Sequence, residues 1–203
     1  LTTQAVGALS ATQAGALTAD QTRALGTAQL NALAKPALDA VNAANLTSVQ
    51  AAGLSTTAVA NLTAAQVGAL SNAAVAVLTK AEAASLSAAD VGAMSASQVG
   101  AFSTGAFSGL TAQAVAAFST TQLAALSGSQ IASLNPAGLT AAEIAALSGS
   151  QTQALTATQL NALGAAALNA VKTANLTATQ AASLSTTAVA GLTAAQIAAL
   201  PNA

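Results

Sequence analysis

The sequence has no cysteine, no histidine, no tryptophan and no tyrosine among its 203 residues. Without thiols there are neither disulfides nor thiolate metal sites, and zinc loses both of its preferred ligand types. Haem has no His, Cys or Tyr to hold its iron, and the single methionine, Met94, stands in a leucine slot as core filler. Charge is nearly absent too. Four basic and five acidic residues leave a net charge of −1, and charged residues make up 4% of the chain, where about 25% is ordinary. This excludes the basic footprint of a nucleic-acid binder and polybasic attachment to an anionic membrane. Long apolar runs are also missing: Ser, Thr, Gln or Asn interrupts every stretch within about eight residues, and a spanning helix needs about 20. No membrane insertion is expected. Disorder is disfavoured, because 54% apolar content with so little charge is the opposite of a disordered composition.

Catalysis needs a titratable group poised near the working pH, and here only the acids, three lysines and Arg23 remain. Asp20 with Arg23, and Lys80 with Glu82, read as solvated surface charges. Glu82 and Asp90 hold equal slots in successive repeats, which makes them helix caps rather than a converging pair for glycoside hydrolysis. No clustered Asp loop suits calcium, and no Gly-rich phosphate motif is present; "SGSQ" at residues 127 and 148 merely opens a repeat. "NLT" at Asn45, Asn61 and Asn175 matches a glycosylation acceptor, but arises whenever a repeat ends in Asn. The expectation is a chain that is not an enzyme, with no catalytic, cofactor-binding or metal site and no small-molecule ligand.

What the chain does have is an octad. "LTAAQVGALS" at residues 62–71 returns as "LTAAQIAALP" at 192–201, and the consensus is L-[S/T]-x-x-Q-[V/I/L/A]-x-[A/G/S/N]. Anchors recur every eight residues from Leu1 to Leu33, from Leu46 to Leu134, from Leu139 to Leu163 and from Leu176 to Leu200, with Met94, Phe102 and Phe118 replacing leucine. Ser or Thr followed three residues later by Gln is a capping box: the hydroxyl takes the third helical amide and the Gln side chain returns to the cap amide. Gln50, Gln66, Gln98, Gln130, Gln159 and their equivalents hold that slot, and Glu82, Asp90 and Glu143 replace Gln where the acid suits a helix N-terminus. Leucine before the cap and Val, Ile or Leu at the fourth helical position form a hydrophobic staple, as in Leu62 with Val67.

Each octad therefore encodes a helix start, and the next cap stops it after about six residues, too short to be stable alone in water. Neighbours must hold it. The fold expected is an all-α solenoid of very short capped helices stacked through their Leu/Val stripe. A β-solenoid of eight-residue rungs is the alternative, disfavoured by abundant alanine.

Two stretches break the rule. "LAKPALDAVNAAN" before Leu46 and "LGAAALNAVKTAN" before Leu176 each separate anchors by 13 residues. Helical spacing of Leu38/Val41 and Leu168/Val171 predicts one longer helix in each of residues 33–46 and 163–176, with Pro36 in a first turn, where proline is tolerated. "LNPAG" before Leu139 reads as a turn. The two long stretches lie 130 residues apart with matching flanks, "QLNAL" and "STTAVA", which defines a super-repeat. Phe102 and Phe118, sixteen residues apart, suggest two octads per coil. No linker divides the chain, so residues 1–203 read as a single repeat-array domain. Opening and closing inside repeats, the chain reads as an excerpt of a longer array.

The segments "AMSASQVGAF", "ALTATQLNAL" and "GLTAAQIAAL" resemble the octapeptide-repeat regions of very large secreted bacterial proteins, the adhesin-like and type I secretion repeat proteins. The resemblance covers the whole chain and implies an extracellular or cell-surface location and a structural role. A stalk, spacer or self-assembling filament, associating with further copies or adjacent repeats, is the expected function. An ice- or surface-binding array is the alternative, on account of its regular Ser and Thr beside Ala. A peptide- or glycan-binding groove is disfavoured by the scarcity of aromatic and arginine residues.

Overall fold

The computed structural model describes residues 1–201, which form only α-helices of four to six residues and three 3₁₀ turns, without a strand. The β-solenoid is thereby set aside and the all-α solenoid stands. Helix Ala64–Ala69 illustrates the local rule. Thr63 Oγ1 accepts from the Gln66 amide at 3.2 Å, and Gln66 Oε1 accepts from the Thr63 amide at 3.0 Å. Leu62 and Val67, the staple partners, are both buried. The helix stops because Leu70 (φ −60, ψ 144) and then Ser71 (φ −68, ψ 153) are extended. These two extended residues turn the chain, and the next cap starts the next helix.

The 13-residue stretches correct one expectation. Neither is a single longer helix. Residues 33–46 contain helix Lys35–Ala40, then an extended Val41, then the 3₁₀ turn Ala43–Asn45. Residues 163–176 contain helix Ala165–Asn169 and the 3₁₀ turn Thr173–Asn175. Val41 and Val171 are themselves anchors, and each stretch is an octad followed by a five-residue block. In the first stretch Asn42 favours the break, its side chain accepting from the Ala44 amide, a local cap that competes with helix continuation; Lys172, in the same place of the second, makes no such bond. "LNPAG" is a third block of this kind, its Asn135 capping the 3₁₀ turn Pro136–Gly138.

Stacking follows a rule of threes. Helix Ala64–Ala69 packs on Ala88–Ala93, Asn72–Ala76 on Ala96–Ala101, and Ala11–Gly15 on Lys35–Ala40. In each pair the partner is the third element along, so three blocks, not two, make one turn of the solenoid. The two-octad expectation rested on Phe102 and Phe118, which meet through an intermediary. Phe107 stands edge-on to Phe102 (centroids 5.9 Å) and stacks on Phe118 (5.8 Å).

Leucine anchors and the Val, Ile or Leu at the fourth helical position converge on the axis in one apolar core running from Val6 to Ala188. Among the described residues, main-chain hydrogen bonds outside the helices stay local and none crosses between coils. A β-solenoid would join its rungs through the main chain; here only side chains can do so.

Candidate functional site

The polar contacts between coils converge on the glutamine of the capping box. Its Oε1 accepts from its own cap amide, and its Nε2 reaches down to the coil below. Gln98 Nε2 donates to Leu70 O at 2.7 Å and Val67 O at 3.1 Å. Gln66 Nε2 reaches Val41 O at 2.9 Å and Leu38 O at 2.7 Å, and Gln159 Nε2 reaches Leu134 O at 2.9 Å and Ile131 O at 2.8 Å. The target is always the anchor three blocks back. Gln29, Gln50, Gln122, Gln130, Gln151, Gln180 and Gln196 obey the same register. Gln13 and Gln21, in the first coil, show the cap bond alone.

The choice of target has a physical reason. An anchor lies between two helices, and its carbonyl precedes the cap, so no main-chain amide reaches it in either. A buried carbonyl without a partner is costly, and the amide from the next coil supplies one. The sequence reading recognised the cap but missed this second bond. A signal was available: capping boxes accept Glu as readily as Gln, and the helix N-terminus favours the acid, yet Gln dominates the slot. Only Gln carries both an acceptor and a donor.

Other residues extend the seam. Asn31 Nδ2 donates to Gly53 O at 2.8 Å while its Oδ1 accepts from the Ser55 amide at 2.8 Å; Asn161 repeats both bonds with Ser183 and Ser185. These are the asparagines of the two "QLNAL" segments, 130 residues apart. Lys172 Nζ reaches Leu147 O at 3.4 Å, again an anchor three blocks back. Thr22 and Thr152 hold a slot that is apolar in most octads; Thr152 Oγ1 donates to Ser148 O at 3.0 Å, whereas the buried Thr22 Oγ1 has no hydrogen-bond partner.

The charged residues singled out by sequence are dispersed. Asp20 and Arg23 form a 3.2 Å ion pair, and the Asp20 side chain is 97% exposed. Lys35 pairs with Asp39 at 2.9 Å. Glu82 and Asp90 are buried, each accepting from the amide of its own cap residue, Thr79 or Ser87. Glu143 caps through the Thr140 amide at 2.6 Å. Burial pushes its carboxyl above the usual carboxylate range, against the opposing pull of the hydrogen bonds from Thr140. Met94 is buried in the core. Among the described residues, no group of His, Cys, Asp or Glu is placed to hold a metal ion, and no helix is long and apolar enough to cross a membrane. One shallow groove of about 450 Å³ lies beside the five-residue block of residues 134–138, lined by Pro136, Leu139, Thr140, Gly164 and Ala167 among others. Thr140 Oγ1, its side-chain polar atom, is already used as a cap.

Comparisons with protein-family models, with curated proteins and with solved structures return no match. What the arrangement does chemically is adhesive: it joins one coil to the next by a repeated, directional amide-to-carbonyl bond over an apolar core.

Proposed function

We propose that this chain is a structural repeat segment, a stalk, spacer or self-assembling filament that works outside the cell, at a cell surface or in a biofilm matrix. The observation that carries this reading is the glutamine seam. Its polar side chains are spent on capping one helix and clamping the coil beneath, and the same clamp recurs from Leu1 to Val171. A surface that is the same at every step is complementary to itself, so further repeats or a second copy can add to it without a new kind of contact. Near-zero net charge removes the repulsion that would oppose such addition. The resemblance to secreted repeat proteins supports the extracellular placement.

An ice- or surface-binding array has less support, because the Ser and Thr hydroxyls of the octads accept from helix amides and their positions are set by capping. Electron microscopy with light scattering over a range of protein concentration tests the proposal. Rods that lengthen end to end are expected. Compact particles of unchanging mass and shape would remove the filament reading, and thermal hysteresis of the solution would favour the alternative.

A further inference from the structure

Glu143 occupies the glutamine slot of helix Ala141–Ala146, and its two oxygens have different fates. Oε2 accepts from the Thr140 amide. Oε1 is buried and has no hydrogen-bond partner. By the register that the glutamines obey, the atom in this place lies over the anchor three blocks back, Phe118, and over Val115. The Phe118 carbonyl takes no main-chain amide. A glutamine here would donate to it. An ionised carboxylate has nothing to donate and sets oxygen against oxygen.

We propose that Glu143 is carried as the neutral acid, its Oε1–H donating to the Phe118 carbonyl, so that this coil is clamped by a proton where the others are clamped by an amide. Glu82 and Asp90 share the slot, but neither presents a buried oxygen left without a partner. The surroundings offer no competing charge. Helices Thr120–Ala124 and Ala165–Asn169, which pack against Ala141–Ala146, contain no Asp, Glu, Lys or Arg, and nor do the adjoining Gly128–Ser133, Pro136–Gly138 and Gly149–Ala154. From residue 91 onward the only other charged side chain is Lys172, which is directed at the Leu147 carbonyl. No cation therefore favours the carboxylate, and desolvation raises its pKa accordingly.

The consequence for stability has a definite sign. An acid whose pKa is raised by folding stabilises the fold fully below its unfolded value, and loses that contribution as pH rises through the folded value. The clamp thus closes on acidification and opens toward alkaline pH.

Two measurements on the full chain and E143Q test this. In thermal unfolding, the wild type should lose Tm relative to E143Q as pH rises above the ordinary carboxylate range; E143Q carries a permanent donor and should melt about 2–4 °C higher at the alkaline end, as loss of about 1 kcal/mol implies for a chain this size. In infrared spectra above about pH 5, where ordinary carboxyls are ionised, the wild type should keep a protonated-carboxyl band that E143Q lacks. Parallel Tm profiles for the two proteins, or no protonated-carboxyl band distinguishing them, would overturn the proposal.

Discussion

At the residue scale, one amide side chain does two jobs, and its two ends can be separated by substitution. Gln130 accepts from the Ser127 amide through Oε1 and donates through Nε2 to Phe102 O at 2.9 Å and Gly100 O at 3.1 Å. Gln130→Glu keeps the cap but turns the lower end into an acceptor facing carbonyls. It should destabilise the protein by about 1–3 kcal/mol, the cost of leaving buried polar groups unpaired, read by urea denaturation at neutral pH. A helix-capping role alone predicts no loss, since Glu is a good capping-box partner. The cap was legible in the sequence because Ser127 and Gln130 lie three residues apart and fix each other locally. The clamp was not, because its target lies 28 residues away and that distance depends on how many blocks close a coil.

At the element scale, the five-residue block is the variation that the octad rule concealed. Where a coil contains one, the glutamine reaches its anchor 25 residues back, as Gln66 to Val41; where it contains none, 28 residues back, as Gln98 to Leu70. Sequence spacing alone made Leu38 and Val41 look like one helical face, since i and i+3 coincide on a helix. What decided otherwise was the polar residue after the anchor, Asn42, together with the need to place Val41 over the core. In the block of residues 134–138 the last position has little room, although the other two blocks carry Asn45 and Asn175 there. Gly138 closes its 3₁₀ turn against the coil below, and a β-carbon there would press into Ala112 O and Val115 Cβ. Gly138→Ala should therefore cost about 1–3 kcal/mol, the usual penalty of overpacking, despite the ordinary helix advantage of alanine. Thermal unfolding followed by circular dichroism measures it. A stabilised or unchanged protein would mean that the coils can separate at this point to admit a methyl group.

For the whole molecule, each coil touches only its neighbours, so stability is a sum of block terms and interface terms rather than the property of a single closed core. The register rule makes this testable by deletion. Removing one complete octad, residues 110–117, carries Phe118 into the place of Leu110 and leaves every later glutamine above an anchor three blocks back. Removing only residues 114–117 joins Leu110, Thr111, Ala112 and Gln113 directly to Phe118. That fragment has a cap residue but no fourth helical position to bury, and it lacks the anchor spacing of either an octad or a five-residue block. The octad deletion should keep the helical circular dichroism per residue and a cooperative melt. The four-residue deletion, although smaller, should lower the Tm further. The opposite ranking would mean that the anchors do not count by blocks, and the common clamp between coils would then have no basis.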